Sequence, residues 1–291
     1  MITALKTLAI VNPISGTGKQ KNIECLLKKH LDHERFHLQV EKTGYAGHGT
    51  ELAKLAVTND FDVVIAIGGD GTINEIANAL TFSDVAMGII PCGSGNGLAR
   101  HLGIPMNTKR AIQWINKATI NKIDTIRAND YRFINVAGIG FDALIAHEFA
   151  KMKSRGLASY AKAILKCFRI FSNQSFVLKN KEIETIENGM MLCFANSSQF
   201  GNNAYIAPSA KVDDGKINIS LLKKPKWFQI PVLGWKVFTK GLNTSSLFSE
   251  IITNEITIVQ QSDQGHIDGE PTYFGKEIHL KIDPLSLKLL A

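Results

Sequence analysis

The 291-residue sequence predicts an α/β domain with a parallel sheet and helices on both faces, followed by a mainly antiparallel β-sandwich domain. Two observations carry this. Strand, glycine loop and helix follow one another three times before residue 100, the pattern of βα units whose ligands sit beyond the carboxyl ends of the strands. After about residue 122 the texture changes to short β-branched and aromatic runs, opening with Ile123–Ala128 and Tyr131–Ala137 on either side of Asn129-Asp130, a hairpin signal. The expected division is residues 1–125 and 126–291, with the last few residues free to pack back on the first domain.

In order, Leu8–Asn12 reads as a strand stopped by Pro13, and Ser15-Gly16-Thr17-Gly18-Lys19 as a glycine loop before a helix over Lys21–His30. Phe36–Glu41 is a strand and Gly49–Thr58 a helix. Asp62–Ile67 is a buried strand running into Gly68-Gly69-Asp70-Gly71-Thr72, with a helix from Ile73 to Leu80. Ala86–Ile90 repeats the pattern, leading into Pro91-Cys92-Gly93-Ser94-Gly95-Asn96-Gly97 and a helix from Leu98. Beyond residue 130 the expected strands are Phe176–Lys179, Met190–Asn196, Lys216–Leu222, Glu255–Gln260 and Glu277–Ile282, interrupted by one long helix over Arg155–Ser172.

Composition narrows the function. With 45% hydrophobic and 20% charged residues the chain is of globular type, not disordered or fibrous. No apolar run approaches the roughly 18 residues of a membrane span, and no signal peptide is read at the start. Cys25, Cys92, Cys167 and Cys193 lie far apart, without metal-ligand or disulfide spacing, so a reducing cytoplasmic setting is expected. Thirty-three Lys and Arg against 26 Asp and Glu give a net charge of +7, which favours anionic partners. No nucleic-acid motif appears. Between Glu148 and Glu182 there is no acidic residue, and the helix there places Leu157, Tyr160, Ile164, Leu165, Phe168 and Phe171 on one face and Arg155, Lys162, Lys166 and Arg169 on another. Such a helix either packs on its own domain or lies on an anionic bilayer.

Glycine-rich turns let backbone N–H groups converge on an anion, helped by the following helix N-terminus. The P-loop pattern is absent, and Asp70 is an acidic residue where a dinucleotide fingerprint wants close approach to pyrophosphate. It reads either as a carboxylate reaching phosphate through Mg²⁺ or as an N-cap.

Taken together, Asn12-Pro13 with Ser15-Gly16, then Gly68 through Glu75, then Pro91-x-Gly93-Ser94-Gly95-Asn96 resemble the catalytic domain of the diacylglycerol kinase and sphingosine kinase family over nearly the whole chain. The resemblance implies a fold related to phosphofructokinase and NAD kinase, with ATP contacted by Asn12, Pro13, Ser15, Gly16, Thr43, Gly69, Asp70, Gly71, Thr72, Asn74, Glu75 and Ser94. Ser94 stands where the family has Thr. Asn96 is followed by Gly97 where many bacterial diacylglycerol kinases have Asp, a pattern similar to sphingosine kinases, which leaves the headgroup open. His266-Ile267-Asp268-Gly269-Glu270 resembles the family's DGE motif, implying Glu270 as proton acceptor with Asp268 its partner. Pro208–Lys216 resembles a segment in which Asp214 and the carbonyls of Lys211 and Lys216 hold Mg²⁺. Gly138 and Gly140 would let a ligand approach the backbone, and Asp142 reads as a lipid-hydroxyl partner or as a buried, internally satisfied Asp. The expected activity is ATP- and Mg²⁺-dependent phosphorylation of a membrane lipid by a cytoplasmic enzyme docking on the inner, anionic membrane face; a homodimer is left open. The alternatives are a soluble-substrate kinase of the NAD kinase type and a non-catalytic nucleotide-binding sensor.

Overall fold

A computed structural model describes residues 4–15, 22–151, 157–180 and 183–291, with the backbone alone for 157–163. Two compact units emerge: residues to Thr125 together with Pro284–Ala291, and Ile126–Asp283.

The first unit runs β1 (Leu5–Val11), α1 (Ile23–His30), β2 (Phe36–Lys42), α2 (His48–Thr58), β3 (Val63–Gly68), α3 (Asp70–Leu80), β4 (Ala86–Pro91), α4 (Gly97–His101), α5 (Thr108–Ile115) and the start of β5 (Ile120–Ala128). The strands pair in parallel in the order β2-β1-β3-β4. β3 and β4 are buried at every residue, as a strand covered on both faces requires. The path steps one way from β1 to β2 and the other way to β3 and β4, so right-handed crossovers place α1 opposite α2 and α3. α1 packs with α5, and α2 with α3. The α5 helix escaped the sequence reading although Ala111, Ile112 and Ile115 are buried at helical spacing behind an Asn107 cap.

Residues 284–291 complete this unit. Leu289 pairs in parallel with Met87 beside β4, Lys288 Nζ meets Asp84 Oδ1 at 2.7 Å, and Thr119 and Ala291 exchange backbone hydrogen bonds.

The second unit holds the end of β5, then β6 (Tyr131–Phe133), β7 (Val136–Gly140), α6 (Phe141–Ala150), α7 (Leu157–Ile170), β8 (Gln174–Asn180), β9 (Ile183–Gly189), β10 (Met191–Ala195), the small hairpin β11 (Gln199–Gly201) and β12 (Ala204–Tyr205), β13 (Ile217–Leu222), α8 (Ile230–Phe238), β14 (Phe248–Thr253), β15 (Glu255–Val259), β16 (Gln264–Ile267), β17 (Glu270–Tyr273) and most of β18 (Glu277–Leu290). One sheet has the order β14-β13-β10-β7-β16-β17, antiparallel at every pairing. A second antiparallel layer contains β18, β15, β8 and β9. Alternate residues of both layers, among them Phe176, Ile258 and Ile278 against Ile139, Phe194 and Ile219, form one core, which is a β-sandwich. The predicted strand Tyr131–Ala137 is broken at Ile134-Asn135, where the chain passes from one sheet to the other.

Val136, Cys193 and Ala195, on the opposite pleat, face a second cluster with Phe141, Ile145, Cys167, Phe171 and Leu233. The expected amphipathic helix is therefore a packing helix over its described side chains: Cys167 and Phe171 are buried, while Leu165 lies off that face and is exposed. Lys166 is paired with Glu148 at 2.7 Å. Arg155 and the side chains of Leu157, Tyr160 and Lys162 lie outside the described residues. All four cysteines are free thiols.

Candidate functional site

In a sheet ordered β2-β1-β3-β4, the connections reverse direction between β1 and β3, which opens a crevice beyond the carboxyl ends of those two strands. The residues at that crevice are Asn12, after β1, and Gly68 through Thr72, after β3. Asn12 spans it: its backbone N–H donates to Ile67 O at 2.9 Å, and its side-chain amide donates to Thr72 Oγ1 at 2.8 Å. Its Oδ1 accepts from the Ile14 N–H at 3.1 Å, and Ser15 Oγ donates back to Asn12 O at 3.1 Å, so the Asn-Pro-x-Ser stretch is a side-chain-closed turn. Gly16 lies outside the described residues. Thr43, just past β2, extends the pairing to β1 by donating its N–H to Val11 O at 2.9 Å.

The loops after β3 and β4 touch backbone to backbone. A Cβ at Gly93 would stand 2.7 Å from Gly69 Cα, and one at Gly68 would meet Thr72 at 2.6 Å. The second loop is closed by Asn96, whose Oδ1 accepts the Gly93 N–H at 3.0 Å and whose Nδ2 donates to Gly93 O at 2.8 Å. Asn96 takes a left-handed backbone, φ 52°, which Asn tolerates better than most residues. Asp70 then locks one loop to the other: its carboxylate accepts the N–H groups of Asn96 at 2.7 Å and Gly97 at 2.8 Å, the first donors of α4. Of its two readings, the geometry is that of the cap, supplied from a neighbouring helix. Burial pushes its carboxyl above the ordinary Asp value, against the opposing pull of those two N–H groups and of Arg100.

Glu75 does comparable work one turn further along α3. Its Oε1 accepts from the Gly47 N–H at 3.3 Å, at the start of α2, and its carbonyl accepts from Thr50 Oγ1 at 3.3 Å. Asn74 O accepts from Asn78 Nδ2 at 2.8 Å. Ser94 is exposed at the tip of its loop. Gly71, in the first turn of α3, has nothing within 4 Å of where a Cβ would be. The result is a rigid, side-chain-braced rim around an open helix N-terminus, which can accept a phosphate group.

In the second unit, Asp268 (φ 51°) and Gly269 (φ 82°) are the two central residues of the turn joining β16 to β17, the twin positive-φ form that a tight hairpin requires. Asp268 Oδ1 accepts from Asn135 Nδ2 at 2.8 Å and from the Val136 N–H at 3.2 Å, so it anchors the turn to the start of β7. Glu270 stands exposed on the far side of the turn.

Beneath this turn lies a network that the sequence did not disclose. Gly138 pairs across the sheet with Cys193 on one side and His266 on the other, and a Cβ on it would stand 2.2 Å from Asp142 Oδ2. The space that the reading of Gly138 reserved for a ligand is thus occupied by the protein's own Asp142. Gly140 is likewise filled against, with Met190 O 2.7 Å from its missing Cβ. Asp142 Oδ2 accepts from His266 Nε2 at 2.9 Å and from Cys193 Sγ at 3.1 Å, and Oδ1 accepts from the Ala143 N–H at 2.9 Å. The Gly269 N–H donates to His266 Nδ1 at 3.2 Å, which makes Nδ1 the acceptor and leaves the proton on Nε2. A hydrogen-bonded line therefore runs from Asp142 through His266 into the Asp268-Gly269-Glu270 turn. Burial and the adjoining Asp142 push the Cys193 thiol well above its ordinary value, so it stays a donor.

Asp214 is exposed in the turn before β13, with Oδ1 accepting from the Lys216 N–H at 3.0 Å. Among the described residues no three His, Cys, Asp or Glu side chains gather as a metal cluster, and no helix is long and apolar enough to cross a membrane.

Comparison with known proteins agrees with this architecture. Residues 6–128 match the diacylglycerol kinase catalytic domain, and residues 135–290 match the YegS C-terminal NAD kinase beta sandwich-like domain. The chain is 30% identical to the diacylglycerol kinase of Bacillus subtilis over 74% of its own length and 73% of that protein. It is 28% identical over 97% of its length to a Pectobacterium atrosepticum protein named "Probable lipid kinase YegS-like", covering 94% of it. A crystal structure of a diacylglycerol kinase from Bacillus anthracis superposes with a TM-score of 0.74 at 20% identity, covering 100% of this chain and 98% of that one. The chain belongs to the diacylglycerol kinase family of lipid kinases and is an ATP-dependent kinase.

Proposed function

We propose that the protein transfers the γ-phosphoryl group of ATP to the hydroxyl of a membrane lipid, either diacylglycerol or a sphingoid long-chain base. The observation that carries this reading is the open N-terminus of α3 at the β1/β3 crevice, rimmed by two glycine loops in backbone contact. Phosphoryl transfer asks little covalent chemistry of a protein; it asks for positioning and for neutralised charge. Backbone N–H groups around Gly69, Gly71 and Thr72 would hold phosphate oxygens, with Asn12 and Thr72 fixing the β1 and β3 loops to each other. Asn96, Asp70 and Glu75 act as positioning residues: Asp70 and Asn96 hold the second loop, and Glu75 holds α3 to α2. Thr43, Pro13, Asn74 and Ser94 complete the proposed nucleotide surface. Gly16, also assigned there, falls outside the described residues.

Glu270 takes the acceptor hydroxyl proton. Its support is an exposed carboxylate on a turn fixed from three directions, by Asp268 on Asn135 and Val136, by His266 on Gly269 and by the β16–β17 pairing. In this reading Asp142 is a positioning residue, holding His266.

The all-oxygen set of Asp214 and the carbonyls of Lys211 and Lys216 fits Mg²⁺, a hard cation that keeps part of its water shell. When bound there, the ion would neutralise negative charge and stiffen the turn before β13. Asp214→Asn is expected to raise the Mg²⁺ concentration needed for half-maximal transfer, read in a metal titration; an unchanged requirement removes this site.

The enzyme is proposed to work on the inner, anionic face of the cytoplasmic membrane, where its acceptor resides. The deciding experiment is transfer of label from γ-labelled ATP with Mg²⁺ into mixed micelles of diacylglycerol, sphingosine, ceramide or phosphatidylglycerol, with NAD as the soluble control. Label in a lipid supports the reading and names the headgroup. Label in NAD alone overturns it.

A further inference from the structure

The second unit carries an apolar surface that no part of the site uses. After β13 the chain makes a single 3₁₀ turn, Trp227–Gln229, and then α8. Leu233 is buried and Val237 packs partly against the cluster under the sheet, so this edge of α8 is anchored. The opposite edge, at helical spacing, presents Phe228, Val232, Trp235 and Phe238 to solvent, with Trp227 beside them. Trp227 is 81% exposed, Trp235 71% and Phe238 60%. Folded chains seldom leave two tryptophans and two phenylalanines together in water without a use for them.

The charge around this edge is of one sign. No Asp or Glu occurs between Asp214 and Glu250, whereas Lys223, Lys224, Lys226, Lys236 and Lys240 all fall in or beside the segment. Among the described residues none of these five lysines has a carboxylate within ion-pair distance. Three of the ammonium groups lie instead on carbonyls or ring faces: Lys224 Nζ donates to Phe171 O and sits over Phe168, Lys236 Nζ donates to Thr244 O at 2.9 Å, and Lys240 Nζ sits over Tyr205. Carbonyl contacts leave the positive charge uncompensated. Exposed aromatic rings interleaved with unpaired lysines, on a helix fixed by its other edge, match the headgroup boundary of a bilayer, where rings enter the acyl margin and ammonium groups meet phosphates.

We infer that the segment Trp227–Lys240 is the element by which this protein seats on an anionic lipid bilayer. A second copy of the chain is a poorer occupant, because a two-fold contact through this edge would set lysines against lysines with no carboxylate of the segment to meet them. The inference rests on the reading above that the acceptor lies in a membrane, and it moves the docking role from α7 to α8.

The chain has three tryptophans, and only Trp114 lies outside this segment. In W114F, emission therefore reports Trp227 and Trp235 alone. With phosphatidylglycerol-containing vesicles whose acyl chains are brominated, that emission should shift to the blue and be quenched, with phosphatidylcholine vesicles and high salt weakening both effects. In co-sedimentation, W227A/W235A should lose about tenfold or more of its vesicle affinity. Its melting temperature should hold, as should its transfer to a short-chain, water-soluble diacylglycerol. K223E/K226E, which leaves every ring in place, should also bind anionic vesicles more weakly. Undiminished binding by both variants overturns the inference, and so does a fall in native mass of W227A/W235A, which would make the edge a self-association face. Quenching in W114F, with no lipid labelled by the wild-type protein, upholds the docking role while removing the lipid-kinase reading of this chain.

Discussion

Gly93 and Gly138 both lack a side chain where one could not fit, and for opposite reasons. At Gly93 the missing Cβ lets two loops of the first unit meet, 2.7 Å from Gly69 Cα, and the neighbouring α3 N-terminus is left open. At Gly138 the vacated space is filled by the carboxylate of Asp142, pinned between His266 and Cys193 in the second unit. A glycine in a motif-like run is thus no guide to a ligand by itself. What distinguishes the two is whether the atoms that come near belong to the protein.

The largest expected break concerns the turn that the Gly138 network supports. Glu270→Gln should cut turnover by about 10²- to 10⁴-fold, the range for a lost general base, with ATP binding by calorimetry unchanged. Full turnover in that variant removes the assignment. Next, Gly138→Ala forces a methyl to within 2.2 Å of Asp142 Oδ2, displacing the carboxylate or the strand. Overpacking of this kind costs about 1–3 kcal/mol, and the loss should appear as a lower melting temperature with ATP affinity retained.

A paired substitution sharpens the contrast in the first unit. Gly93→Ala should lower both melting temperature and ATP affinity. Gly71→Ala meets nothing within 4 Å and should leave melting unchanged or slightly higher, yet weaken ATP binding if phosphate approaches that backbone. Calorimetry on Gly71→Ala that reads wild-type affinity would place the phosphate elsewhere.

The smallest effect is a pH dependence. Burial raises the Asp70 carboxyl above its unfolded value, so the native state holds this proton more tightly. Its contribution to stability is fully present below the unfolded Asp pKa and is lost as pH rises through the raised native one. Asp70→Asn lacks that titration, so the melting-temperature difference between wild type and variant should move against the wild type on going from acid to neutral pH. A difference independent of pH would show that burial is not the controlling influence.

The alternation of strand, glycine loop and helix was legible because each unit states its own boundaries: Val63–Ile67 is apolar throughout, and the glycines after it mark where the strand stops. The β-sandwich was legible as a class but not strand by strand. Ile183–Gly189, for example, is polar and mostly exposed. In the candidate site, the glycine runs and the Asp-Gly-Glu turn could be picked out locally. The Asp142–His266 and Asp142–Cys193 contacts join residues 124 and 51 positions apart, and only the sheet register makes them neighbours. Asn96 was visible as a letter in a loop; its work in closing that loop needed the left-handed backbone to be seen. The aromatic edge of α8 was not legible as a helix face because Pro225, Pro231 and Gly234 interrupt the pattern that marks a helix in sequence.

The return of residues 284–291 to the first unit bears on how the molecule comes into being. Lys288 and Asp84, which pair there, are 204 positions apart, and Met87 gains its neighbour Leu289 across a similar interval. During synthesis β4 emerges with one flank bare and stays so while the whole second unit is made, because its remaining partner has yet to be translated. The parallel sheet of the first unit therefore cannot finish folding in the order in which it is written, and the nascent chain carries an unprotected strand edge while the residues of the second unit are added.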